Sequence, residues 1–186
     1  SAFAALVGGG GAPRASIEMG KNDLNTAEHI LGNCFFLQIL ISITLTVILL
    51  FGNRTFLLAF GASENTIEYA VNYMNIYAVG TIFVQLTLGM NMFITTQALP
   101  NRYALCLIGA VMNIILDPLF IFAFHLGVRG AALATILSQA VSCIWVLSFL
   151  CGKKTILHIR KKNLILKPEI ILPCVALGLA TFINAG

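Results

Sequence analysis

Long apolar runs separated by short polar breaks constrain this chain more than any motif in it. Residues 30–51 contain no charged side chain at all, and a helix that crosses the hydrocarbon of a bilayer needs about 20 mostly apolar residues. The composition agrees. Of the 186 residues 59% are hydrophobic and 10% charged, against roughly 25% charged in a soluble domain, and the mean hydropathy is +0.93. So few charges cannot solvate an ordinary surface. The pattern excludes a common soluble enzyme, a disordered tail and a nucleic-acid-binding module, and it predicts an all-α polytopic transmembrane bundle.

The breaks give the expected order of spans. A small-residue segment, Ser1 to about Met19, enters a polar loop at residues 20–23 and reads as the tail of a helix whose start is missing. A second span runs from about Thr26 to Phe51 and is expected to break at Gly52-Asn53-Arg54. After a short amphipathic stretch, Ser63, Thr66 and Glu68 suit a helix start with acids near its positive end. The third span, about Ile67 to Gln97, carries Asn72, Asn75, Gln85 and Asn91. A fourth is expected over Tyr103 to about Phe124 and a fifth from Gly130 to Leu150. The basic stretch 153–167 follows, and a last apolar run begins near Ile170. That makes five or six spans. Both ends read as truncations of a larger protein, and no signal-peptide pattern opens the chain.

Basic residues set the expected orientation. Alternating the loops places Arg14, Lys21, Arg102, Lys153, Lys154, Arg160, Lys161, Lys162 and Lys167 on one side, with only Arg54 and Arg129 on the other. The first side is therefore expected to be cytoplasmic, with the basic run against anionic lipid.

Asp117 is the sharpest candidate for chemistry. A carboxylate at membrane depth costs at least about 2.5 kcal/mol on insertion scales. It sits in Asn113-Ile114-Ile115-Leu116-Asp117-Pro118, where Asn113 and Asp117 share a helix face at i, i+4. Pro118 has no N–H to offer the carbonyl of Ile114. Three oxygens thus converge in a way that suits Na⁺ or a proton, the alternative being a kink whose Asp bonds a neighbouring helix. Downstream, Gly127, Ala131 and Thr135 share one face, and Gly130, Ala134 and Ser138 the next. Small faces permit close helix approach, here expected against the preceding helix. Thr135 then either turns its hydroxyl toward Asp117 or bonds its own helix backbone. Gln85, Asn91 and Gln97 suit a cavity lining or interhelical contacts equally well.

Other signals are weaker. Gly8 to Gly11 lack the Gly-Lys-Ser/Thr of a phosphate loop and read as close packing or helix termination. The five cysteines have no CxxC spacing and read as small hydrophobes. His29, His125 and His158 lack metal-ligand spacing.

Taken together, residues 10–23 (GGAPRASIEMGKND), 61–64 (GASE), 113–121 (NIILDPLFI) and 126–135 (LGVRGAALAT) resemble the multidrug and toxic compound extrusion (MATE) transporters over almost the whole chain. The resemblance implies no enzyme but a twelve-helix antiporter of two six-helix lobes, exporting organic cations or drugs across the cell (inner) membrane against Na⁺ or H⁺. Residues 1–167, with the basic loop 152–167, correspond on that template to the second through sixth helices of the amino-terminal lobe. Residues 168–186 begin the next helix, and the carboxyl-terminal lobe is the missing partner. Carried over by position, the coupling-ion site includes Asn113, Asp117 and Thr135, with Tyr73 or Tyr77 joining the network. The chain departs from the family at Thr95 to Pro100, where members often carry Arg-x-x-Gly. Alternative readings are a lipid-linked flippase, which wants a basic central cavity, and a non-transporting membrane fragment.

Overall fold

The computed structural model describes residues 2–61, 66–97 and 127–184, with isolated positions between 107 and 119. Among the described residues the regular structure is helical: α1 (Ala2–Gly20), α2 (Leu24–Ala59), α3 (Ile67–Thr96), α4 (Gly127–Cys151), a 3-10 turn at Lys161–Asn163, and α5 (Pro168–Asn184). Three of these, Leu24–Ala59, Ile67–Thr96 and Arg129–Cys151, are long and apolar enough to cross a membrane, and Pro168–Ala180 is a shorter apolar helix. Most of the expected fourth span, Tyr103 to Phe124, lies outside the described residues.

The glycines of α1 explain how the helices gather. Gly8, Gly10 and Gly11 are buried, and each faces a different neighbour. A Cβ on Gly8 would stand 2.9 Å from the carbonyl oxygen of Gly89 in α3; one on Gly10 would overlap the carbonyl of Cys174 in α5. One on Gly11 would overlap the Cys34 sulfur of α2 and the ring of Phe93 in α3. Gly9 faces open space. The close-packing reading of this tetrad therefore holds at three of four positions. The α1–α5 crossing is also close from the other side, where Gly178 sits on the carbonyl of Leu6.

Around this hub α2 packs on α3, and α3 on α4. The buried cluster joins Val7, Ala12, Ala15, Ala27, Ile30, Leu31, Cys34, Met90, Phe93, Ile94, Val146, Leu150, Leu157 and Cys174. These lie toward one end of the bundle, where α1, α3 and α4 finish and α2 and α5 begin. Toward the other end α2 turns large apolar side chains outward, among them Ile43, Val47, Ile48 and Phe51, the last 90% exposed. Such an outward apolar surface matches a hydrocarbon solvent, where helices are held by packing and hydrogen bonds rather than by exclusion from water.

Residues 155–167 fold back over the buried end. Gln97 Oε1 accepts from the Thr155 hydroxyl (2.8 Å) and from the backbone N–H groups of Ile156 (2.8 Å) and Leu157 (3.4 Å). Glu28 takes the Arg160 guanidinium at 3.0 Å and the His158 ring at 3.3 Å. Asn33 Oδ1 accepts from Lys167 N–H at 2.7 Å, and its amide donates to Asn163 O at 3.4 Å. Gly32 leaves room for the Asn163 backbone. The loop thus lies on the same end as the 20–23 turn. Arg160, Lys161 and Lys162 are all exposed, and Arg160 pairs with Glu28 as well.

The expected break at Gly52 does not occur: α2 runs on to Ala59. A mid-helix Gly costs only about 1 kcal/mol. Here its bare Cα makes room for the Phe56 ring, and Asn53 donates its amide to Asn75 Oδ1 of α3. The start of α2 is capped by Asp23, whose carboxylate accepts from Thr26 N–H (3.0 Å) and Thr26 Oγ1 (2.6 Å). Asn22 turns the chain there with a positive φ of 66°, a conformation that Asn tolerates.

Two measurements test this account. In detergent, Gly10→Ala lowers the thermal midpoint through an overpacking cost of about 1–3 kcal/mol. Gly9→Ala leaves it unchanged or raises it, since Ala is the better helix former by up to about 1 kcal/mol. Equal loss in both variants would remove the hub role of α1. At Asp23 the hydrogen bonds from Thr26 hold the carboxyl below its ordinary 3.8. A lowered folded value means that the cap's contribution is complete above 3.8 and fades as pH falls through the folded value. Asp23→Ala therefore destabilises at pH 7, and the gap to wild type closes in strong acid.

Candidate functional site

Two of the three expected coupling-ion residues, Asn113 and Asp117, lie outside the described residues. The third, Thr135, is half-buried on α4, and its hydroxyl donates to the carbonyl of Ala131 at 3.0 Å. This is the self-bonded arrangement. It leaves the oxygen lone pairs of Thr135 as acceptors, since a hydroxyl has one donor and two acceptor sites.

α4 packs on α3 through the face that carries Ile136 and Gln139, whereas the preceding segment expected against the small faces of α4 lies outside the described residues. Gly130, Ala134 and Ser138 are buried, and Ile136 fills the place where a Cβ on Gly80 would stand. Thr87 Oγ1 bonds Gln139 O at 3.4 Å across the same seam. Tyr73 and Tyr77, one helical turn apart on α3, stack with centroids 6.0 Å apart and an interplanar angle of 10°. Their rings brace each other at the end of α3 opposite to Gln97.

The interior amides are the most informative polar groups. Gln85 is 1% exposed, and among the described residues neither end of its amide has a partner; Asn91 Oδ1 is buried in the same condition. Burying an unbonded amide costs roughly 1–3 kcal/mol by mutational measures, so these groups point to a ligand, a water or an element beyond the described residues. Gln97 anchors the loop through its Oε1. Sequence reasoning missed Gln38, which is fully buried on α2. Its amide donates to Ala4 O at 3.2 Å and lies over Gly89. A glutamine inside an apolar run was the available signal. It also missed Glu28, because an acid four residues into a helix reads as a surface group. A cavity of about 590 Å³ lies at the far end of α2 and α3, lined by Arg54, Leu58, Ile67, Glu68, Val71 and Asn72. Among the described residues no group of three His, Cys, Asp or Glu side chains is placed to hold a metal.

A family model, MatE, matches residues 1–119, which reach from the glycine tetrad of α1 through Asp117 and Pro118. The chain belongs to the MatE family. The multidrug export protein MepA of Staphylococcus haemolyticus (strain JCSC1435) is 28% identical over 163 residues, 87% of this chain and 36% of that protein. An inward-facing MATE family transporter of the MOP superfamily superposes with a TM-score of 0.90 over 98% of this chain and 42% of its own, at 24% identity. An outward-facing structure of a MATE family transporter of the same superfamily gives 0.88 over 98% and 41%, also at 24% identity. The chain thus spans well under half the length of the relatives it matches. With that family and these apolar helices the protein is a multi-pass membrane protein.

The anchoring role of Gln97 is open to measurement. Gln97→Leu leaves the backbone N–H groups of Ile156 and Leu157 without this acceptor, while the Thr155 hydroxyl keeps Leu157 O, at about 1–3 kcal/mol for each group that stays buried. Trypsin cleavage at Lys153, Lys154, Lys161 and Lys162 is expected to accelerate in detergent. Unchanged cleavage would mean that the loop is held elsewhere.

Proposed function

We propose that this chain is the amino-terminal part of a cation-coupled antiporter that exports organic cations or drugs across the cell membrane. Na⁺ or H⁺ is the coupling ion, and a carboxyl-terminal lobe completes the cavity. The observation that carries the reading is the family match, which includes the Asn113–Pro118 stretch. The naming of a relative as a multidrug export protein supports the substrate class. Asp117 is the ion-binding group, with Asn113 and the lone pairs of Thr135 as neutral oxygen ligands. Tyr73 and Tyr77 extend the network, and Gln85 and Asn91 offer their unbonded amides to the cavity. A carboxylate must be neutralised before it is closed off from water. Ion binding therefore favours one conformation over the other, which is the requirement for coupling. A basic patch inside the bundle, as a lipid-linked flippase would want, has no support among the described residues.

The test is efflux of a fluorescent organic cation from cells expressing the complete protein, with imposed Na⁺ or proton gradients. Asp117→Asn reduces efflux to background with normal membrane insertion. Thr135→Ser retains transport and Thr135→Val, which lacks the oxygen, loses most of it. Wild-type efflux in Asp117→Asn, or indifference to both gradients, would overturn the reading.

A further inference from the structure

Three helices bring together a group that transport as described above does not use. Cys34 of α2 and Cys174 of α5 are each 1% exposed, and both sit in the one buried cluster that packs against α1. They meet over the glycines of α1, with Gly11 under the Cys34 sulfur and Gly10 under the Cys174 backbone. The Arg14 guanidinium, from the next turn of α1, donates to the Cys174 sulfur at 3.3 Å and to Ile170 O at 3.0 Å. Isolated buried cysteines act as small hydrophobes. A juxtaposed pair with a guanidinium on one sulfur is a different arrangement, because the nucleophile of disulfide chemistry is the thiolate and adjacent cations promote it.

We propose that Cys34 and Cys174 form a reversible dithiol–disulfide site that takes small disulfides and related two-electron thiol oxidants, and that its oxidation fastens α5 to α1 and α2. Cys174, beside Arg14, attacks a small disulfide RSSR; its S–H proton leaves with the displaced thiolate as RSH, and a Cys174–S–S–R bond forms. Cys34 then attacks the Cys174 sulfur and expels the second RSH. The two protein thiols lose two electrons and two protons together, and the small disulfide becomes two thiols. Arg14 is a positioning residue for the first step. The buried sulfurs are reached when α5 lifts from the Gly10–Gly178 crossing, so the rate of oxidation reports that opening. The site stands independently of the transport reading, since the sulfurs meet whatever the bundle carries.

The experiment uses membranes from cells expressing the complete protein. After treatment with diamide or oxidised glutathione, free thiols are blocked, the protein is digested without reduction, and the peptides are identified by mass spectrometry. A peptide pair joined through Cys34 and Cys174 is expected in the wild type, to be lost on adding dithiothreitol, while Cys143 and Cys151 remain alkylated. Arg14→Gln is expected to slow formation severalfold, with Arg14→Lys restoring part of the rate. Complete alkylation of both cysteines after oxidation, or only separate mixed disulfides on each, would overturn the proposal. The readout contains no transport step, so its failure and a failure of the antiporter reading are told apart.

Discussion

The bundle depends on the absence of side chains along one helix. In a bilayer the surrounding lipid is as apolar as the helices, and association has to come from close backbone contact and hydrogen bonds. Gly8, Gly10 and Gly11 supply that contact in three directions, which lets one helix touch α2, α3 and α5 at once. Polar links then fix the arrangement. Gln38 reaches the Ala4 carbonyl of α1, and Thr46 of α2 reaches Ala78 O of α3 at 3.0 Å. None of these bonds is strong alone, but each has a geometry that only the close crossing permits.

Much of this architecture was legible in the residues, and the exceptions have physical causes. The apolar runs around α2, α3 and α4 announce themselves by length, and both ends of α3 and the start of α5 fall close to their polar breaks. Gly52 misled because a glycine followed by Asn and Arg is the ordinary signature of a stop. Nothing local reveals that Asn53 has a partner on α3 or that Phe56 needs the space. Gln97 was ambiguous for a related reason: its three donors come from a loop some sixty residues later, a separation that periodicity cannot see.

For the candidate ion site the balance differs. Asp117 stands out from sequence because a charge in an apolar run is expensive and visible, whereas the surroundings that would complete it are a matter of three-dimensional placement. The interior amides show the complementary situation. Gln85 is unremarkable as a letter in a polar-studded helix, and it acquires meaning only when burial and the want of a protein partner are known together. Chemical type is written in the chain, while satisfaction of that chemistry is a property of the fold.

The folded-back loop has one further consequence. Residues 155–167 stitch the ends of α2, α3 and α4 with amide, carboxylate and hydroxyl contacts, whereas the opposite ends of α2 and α3 meet through the Asn53–Asn75 amide pair and side chains that face outward. A displacement of residues 155–167 is therefore passed to α2, α3 and α4 together, as a strap moves every bar that it ties.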